Sequence, residues 1–189
     1  PPVPLPPPPP TVTVESFETA LKEFASFVAS EKRMSFWKQS KEGAGHDWTS
    51  KPEKLAKDLL QTFLRGHFRA LIESLEEVQT GAGRIDLYLI FSGGLRVVVE
   101  LKMCGGGYAT SYALEGVDQL IHYLEQKGTS LGYLIVFDGR VDDYGTGLPP
   151  PGAIRSKVIV PICIDVRPKV KSPVVKSAGR RRRKPGKGA

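Results

Sequence analysis

The spacing of apolar residues along this chain of 189 residues switches between that of helices and that of strands. Three segments repeat apolar residues every three or four positions, which places them on one face of a helix. Their stripes are Phe17, Leu21, Phe24 and Val28; Leu55, Leu59, Leu60, Phe63 and Leu64; and Leu114, Val117, Leu120, Ile121 and Leu124. The first stripe follows Ser16, a candidate cap, and we expect its helix to pack on the main body; the alternative is a partner or oligomer surface.

Four short apolar runs and one weakly alternating stretch, residues 73–79, predict β-strands. They span residues 73–79, 84–91, 95–103, 132–138 and 157–165. A Ser-Gly-Gly turn joins the second and third runs as a hairpin, and the unbroken apolar stretch 97–99 is typical of a strand covered on both faces. Pro161 places the last strand at a sheet edge. This order of elements predicts an α/β fold with a mixed central sheet flanked by helices.

The middle helix has sequence signals at both ends. Ser50 is a candidate N-cap and Pro52 falls in the first turn, where proline is well tolerated. Gly66 is a candidate stop. These signals place the helix directly before the first strand.

Charged residues interrupt two of the predicted strands. Asp86 lies early in the second strand, and Glu100 and Lys102 close the third. Side chains two apart on a strand point to the same face, so Glu100 and Lys102 emerge together and Asp86 can lie across the hairpin. Two carboxylates and a lysine suit a hard divalent cation such as Mg²⁺, with the lysine near an attacked phosphate. Taken alone, Glu-x-Lys at a strand end is typical of a solvated ion pair.

The helix that follows adds polar residues with a related spacing. Gln119 and Tyr123 are four residues apart and are therefore neighbours on one face. A glycine run at 105–107 joins strand and helix, where it permits a sharp turn or the close approach of a phosphate. The alternative for Gln119 and Tyr123 is the polar flank of a packing helix.

Taken together, Asp86, the Glu100-Leu101-Lys102 tripeptide and the Gln119 to Tyr123 segment resemble the PD-(D/E)XK, or restriction-endonuclease-like, nuclease superfamily. The pattern is similar to that of its RecB-like branch, with Asp, Glu-x-Lys and then Gln-x-x-x-Tyr. Ile85 stands where many members have proline. The resemblance implies an α-β-β-β-α-β core within residues 48–168.

The resemblance also implies a role for each residue. Asp86, Glu100 and the backbone carbonyl of Leu101 would bind Mg²⁺ or Mn²⁺, and Lys102 would position or help deprotonate a water. Gln119 and Tyr123 would steer the strand or hold Lys102. Glutamates on a helix often join such sites. The further candidates for metal ligands are Glu53, its rival Glu77, and His67.

Composition and the lengths of the apolar runs indicate the cellular compartment of the protein. Cys104 and Cys163 are the only two cysteines, which gives neither a disulfide framework nor a zinc pattern. No apolar run approaches the ~18 residues of a membrane helix, and no signal peptide is visible. We therefore expect an intracellular, cytoplasmic protein without a membrane partner.

The two ends of the chain differ from the middle. Residues 1–14 are a proline-rich linker, and residues 15–47 hold the first helix and a polar loop. The chain starts without Met, which we interpret as a fragment cut from a longer protein; an ATPase or other domain of that parent is an expected partner. Residues 169–189 form a predicted disordered basic tail. Eight positive charges between 171 and 189, against a net charge of +7 for the chain, leave a body of about neutral charge.

These patterns favour a metal-dependent nuclease that hydrolyses phosphodiester bonds, with DNA as the expected partner. The tail would neutralise phosphates without reading bases, through the run Arg180, Arg181, Arg182, Arg183 and Lys184. Two alternatives remain: a non-catalytic nucleic-acid-binding module on a nuclease-like fold, and an assembly or targeting domain that acts through the proline-rich and basic segments.

Overall fold

The computed structural model describes residues 10–41, 43, 45–80 and 83–168, without the side chains of 78–80. Most of the predicted proline-rich linker and all of the predicted basic tail lie outside these residues. The described α-helices and β-strands are, in chain order, α1 Val14–Phe27, β1 Trp37–Gln39, β2 His46–Trp48, α2 Pro52–Phe68, β3 Ile72–Thr80, β4 Gly83–Phe91, β5 Arg96–Cys104, α3 Thr110–Gln126, β6 Leu131–Asp138, β7 Gly152–Ile154 and β8 Lys157–Asp165.

Six strands form one mixed sheet in the order β3-β4-β5-β6-β8-β7, and β1 and β2 form a separate hairpin. Strands β3, β4 and β5 are antiparallel neighbours, whereas β5, β6 and β8 run parallel. The predicted mixed α/β class is therefore confirmed. Strand β7 pairs only with the first three residues of β8, so Pro161 lies beyond it on the outer edge, as predicted.

Helices cover both faces of the sheet. On one face, α1 and α2 pack against alternate residues of β5 such as Val97 and Val99. On the other face, α3 packs against Val98 and the facing residues of β6. Burial on both sides explains the continuous apolar run at 97–99. The first helix packs on the main body as predicted, with the Phe17 ring in contact with the rings of Phe68, Phe91 and Tyr133.

Three predicted helix boundaries are wrong, each for a local reason. Thr13 rather than Ser16 caps α1, because Thr13 and Ser16 bond each other's backbone N–H in a capping box. Lys51 rather than Ser50 precedes α2, with Pro52 as its first residue. Helix α2 also continues past Gly66, an exposed position where a glycine leaves the backbone hydrogen bonds intact.

Two short pieces of structure were not predicted. The hairpin of β1 and β2 brackets the predicted polar loop, and β7 precedes the last strand. Each of these strands has three residues, too few to show an alternating pattern.

Candidate functional site

Strands β4 and β5 separate at Asp86. Their pairing runs from Ile90 opposite Arg96 to Leu87 opposite Val99 and ends there. On the other side of β4 a bulge occurs at the same place, because Asp86 and Leu87 together face Glu77 of β3. Bulges re-aim side chains and are common beside active sites. The sheet thus opens a gap at the position that the sequence singled out.

Asp86 fills part of this gap. Its Oδ2 atom accepts a hydrogen bond from the backbone N–H of Leu101 at 2.9 Å. The carboxylate thus provides an acceptor for a backbone N–H of β5 just beyond the last residue pair between β4 and β5. This bond brings Asp86 beside the Glu100-Leu101-Lys102 tripeptide.

Glu100 is a buried carboxylate with incomplete partners. It is 3% exposed, and its Oε1 atom lies 3.0 Å from the Lys102 Nζ atom. Within the described part of the chain, its Oε2 atom has no hydrogen-bond partner. Burial and the neighbouring Asp86 charge raise the pKa of Glu100 to about 8, against the opposing effect of Lys102. Burial also raises the pKa of Asp86, although the Leu101 N–H, Lys57 and Lys102 oppose it.

Helix α3 encloses the Lys102 side chain. The Nζ atom lies 4.7 Å from the centroid of the Tyr112 ring. One turn later, a Cβ atom added to Gly116 would lie 3.0 Å from Lys102 Cγ and 3.1 Å from Cε. The Tyr112 hydroxyl donates to Glu53 Oε1 at 2.6 Å, which links α3 to α2 across the site.

Helix α2 brings a second lysine to the gap. Lys57 is 5% exposed and its Nζ lies 2.8 Å from Glu77 Oε1, while Arg84 lies 3.3 Å from the other oxygen of Glu77. The hydrogen bond from Lys57 lowers the pKa of Glu77. Glu77 is therefore neutralised by two cations of this chain, unlike Glu100.

A cleft of about 570 Å³ lies over this region and includes Asp86 in its lining. Four basic side chains, a tyrosine and two further carboxylates also line it: Lys51, Lys54, Lys57, Arg84, Tyr108, Glu53 and Glu77. With Asp86, the lining holds three carboxylates against four basic side chains, a near balance of charge.

The remaining predicted site residues are spread more widely. Tyr123 is buried, and its hydroxyl donates to the Arg84 carbonyl at 3.1 Å, two residues from Asp86. Gln119 is exposed on α3. His67 lies 3.6 Å from Glu23, at the far end of α2 and roughly 21 Å along the helix from Glu53. The structure thus brings the predicted strand residues together, whereas Gln119 is exposed and His67 lies at the far end of α2.

Lys57, Tyr112 and Gly116 also lie at the site and were not predicted from the sequence. Each left a signal that could have been read. Lys57 is three residues before Leu60 on the apolar stripe of α2, where a solvated lysine is out of place. Gly116 interrupts a helical pattern, which indicates close packing, and Tyr112 is one turn before it on the same face.

A second buried charge cluster lies at the ends of β6 and β8. Asp138 is fully buried and accepts hydrogen bonds from the backbone N–H groups of Arg140 and Gly145 and from the Arg140 guanidinium. Asp165, its register partner, binds Arg167 in the same way. Burial opposes ionisation of Asp138, but these hydrogen bonds together hold its pKa below the usual value.

No family model, curated protein or solved structure matches this chain. Across the described ranges, no group of three or more His, Cys, Asp or Glu residues is placed to hold a metal ion. The helices of this part of the chain include none that is long and apolar enough to cross a membrane.

Proposed function

We propose that this protein is a divalent-metal-dependent nuclease that hydrolyses phosphodiester bonds in DNA. The observation that carries the proposal is Glu100 Oε2, a buried carboxylate oxygen that no hydrogen bond of the described residues satisfies. Asp86 and Lys102 lie beside it. A buried polar atom without a hydrogen bond is costly, so this oxygen is expected to receive a ligand from outside the chain.

The residues at the gap fit Mg²⁺ or Mn²⁺. Two adjacent carboxylates with raised pKa values would be relieved of their repulsion by a cation. Mg²⁺ is commonly held by one or two carboxylates together with waters and substrate phosphate, so a third acidic ligand is not required. When bound there, such a cation would neutralise charge on the phosphate and lower the pKa of a bound water.

Backbone geometry supports a further ligand at Leu101. Its N–H points into the gap, toward Asp86. In an extended strand the N–H and C=O of one residue lie on the same edge, so the Leu101 carbonyl also belongs to the gap edge. Asp86, Glu100 and this carbonyl form the proposed ligand set.

The cations of the chain have separate roles in the proposal. Lys102 is a compact point charge on a flexible stem and would orient a water and the phosphate at the gap. Lys51, Lys54 and Arg84 line the cleft and would hold the adjoining phosphates, with Lys54 and Arg84 exchanging their contacts to Asp58 and Glu77.

The order of elements also supports the proposal. Helix α2, strands β3, β4 and β5, helix α3 and strand β6 follow one another as in the α-β-β-β-α-β core that the PD-(D/E)XK resemblance implies. We extend the proposal to membership of that superfamily.

Plasmid nicking with Mg²⁺ or Mn²⁺, against EDTA, tests the function directly. Asp86→Asn and Glu100→Gln should abolish cleavage, and Lys102→Ala should slow it by on the order of 10²-fold or more. Asp118→Asn, an exposed change on α3, is the matched control and should cut like the wild type. Wild-type rates in Asp86→Asn would reject the site. DNA binding without metal-dependent cleavage would support the non-catalytic module instead.

The role proposed for the tail has its own test. Deletion of residues 169–189 should weaken binding of every duplex about equally. If about five basic side chains contact phosphates, the slope of log K against log salt should shrink by roughly 4 to 5 units. An unchanged slope would assign the phosphate contacts to the body of the protein.

A further inference from the structure

We propose that Tyr112 and Gly116 of α3 are the residues that position Lys102, the role that the resemblance gave to Gln119 and Tyr123. Together they form a lysine slot, in which Gly116 makes room for the stem and the Tyr112 ring holds the ammonium group. The consequence for turnover rests on the proposed function, whereas the slot itself does not.

Gly116 makes the slot because a larger residue would collide with the lysine. An added Cβ would lie 2.7 Å from Leu134 Cδ1, besides its close approaches to Lys102 Cγ and Cε. The leucine and the lysine stem would both have to shift. Glycine lowers the stability of a helix interior relative to alanine, so the packing explains why one stands here.

Tyr112 closes the slot over the charged end. The distance of 4.7 Å from Lys102 Nζ to its ring centroid is within the range of a cation–π interaction, which strengthens when the cation is desolvated. Lys102 is 6% exposed. The Tyr108 ring, whose centroid lies 5.4 Å away, and the hydroxyl bond to Glu53 both hold the Tyr112 ring in place. Tyr112 and Gly116 are one turn apart and therefore act on the same side of α3.

The residues expected from the resemblance are directed elsewhere. Gln119 is exposed, and the Tyr123 hydroxyl donates to the backbone carbonyl of Arg84. Tyr123 thus supports the strand that carries Asp86. The ammonium of Lys102 is instead bounded by Glu100 and Tyr112.

The first experiment measures the slot without metal or substrate. In the NMR spectrum of the full chain, with the Lys102 ε-methylene signal identified by its loss in Lys102→Arg, the Tyr112 ring should shift that signal upfield. Tyr112→Phe should keep the shift and Tyr112→Leu should abolish it. Tyr144→Leu, which removes a ring lying 4.4 Å from the Arg167 guanidinium, is the matched control and should leave the Lys102 signal in place. A Lys102 signal unchanged in a folded Tyr112→Leu variant would overturn the slot.

The second experiment tests whether the position of the Lys102 side chain affects turnover. Tyr112→Leu and Gly116→Ala should lower kcat by on the order of tenfold or more with little change in KM, and Tyr112→Phe should retain most of the wild-type kcat. Gly66→Ala is the control for a helix glycine, because an added Cβ there meets nothing within 4 Å. Equal kcat values for Gly116→Ala and Gly66→Ala would overturn the positioning role.

The two experiments separate the two proposals. A wild-type chain that cuts no DNA in any divalent metal would reject the nuclease, and the NMR shift would then decide the slot alone. A wild-type chain that cuts DNA, with no ring-current shift at Lys102, would keep the nuclease and reject the slot.

Discussion

Two buried carboxylates lie on neighbouring strands of one sheet. They differ in the hydrogen bonds they receive and in the direction in which their pKa values are shifted. Asp138 on β6 receives two backbone and two guanidinium hydrogen bonds, and its pKa is lowered. Glu100 on β5 is bound by Lys102 through one oxygen and has the other oxygen unsatisfied among the described residues; its pKa is raised to about 8, chiefly by burial. Equal burial therefore does not imply an equal role. The chain satisfies both oxygens of the first carboxylate, whereas one oxygen of the second has no hydrogen bond among the described residues.

The largest effect is expected from Asp138→Asn. The change leaves the Arg140 guanidinium, which is 15% exposed, without its counter-charge, and loss of one partner of a buried pair costs about 3 to 5 kcal/mol. Urea unfolding at pH 7 measures the loss. A cost below about 1 kcal/mol would mean that this cluster does not stabilise the fold, and the contrast with Glu100 would disappear.

Glu100→Gln should act in the opposite direction. In EDTA, the folded wild type keeps a proton on Glu100 that the unfolded chain has already released, so its free energy of unfolding falls as the pH rises from about 4.5 to about 8. The variant lacks this loss and should be the more stable protein above pH 8. Near pH 4.5 the two should be about equal.

Urea unfolding across the pH range checks this prediction. Glu125→Gln, an exposed change on α3, is the control and should show no growing difference from the wild type. A Glu100→Gln variant that is less stable than the wild type at pH 8 would show that Glu100 is a structural carboxylate like Asp138.

Metal binding should change the free energy of unfolding by a smaller amount than these substitutions do, and the change should depend on Glu100 but not on Asp138. At ten times its Kd, Mg²⁺ or Mn²⁺ should stabilise the wild type by about 1.4 kcal/mol, and Asp138→Asn should gain the same amount over its own metal-free stability. Glu100→Gln and Asp86→Asn should gain little. Thermal melting with and without metal measures these shifts. Equal gains in all four proteins would place the metal outside the gap.

The smallest effect is expected at Asp165. Its bonds to Arg167 repeat those of Asp138 to Arg140, but both side chains are 19% exposed, so solvent can replace part of the pair. Asp165→Asn should cost about 1 kcal/mol, in the urea assay used for Asp138→Asn. A cost as large as that of Asp138→Asn would mean that the charge pair, rather than its burial, sets the effect.

The sequence by itself determined the order of the elements and the carboxylates at the gap. Apolar spacing is a local property, so it indicated the three helices and the long strands, and the pleat placed Glu100 and Lys102 on one face. It also singled out Asp86, because an acidic residue in an otherwise apolar strand requires a partner. Helix ends were predicted less well at Ser16, Ser50 and Gly66, since several neighbouring residues can supply a cap or a stop.

Only the tertiary structure decided what surrounds those carboxylates. The bulge at Asp86 and the opening between β4 and β5 depend on strand register, which joins residues distant in sequence. The approach of Tyr112 and Gly116 to Lys102, and of Lys57 to Glu77, depends on how α3 and α2 cross the sheet. The contrast between Asp138 and Glu100 arises in the same way, because the pKa of a buried carboxyl is set by the donors that the fold places around it.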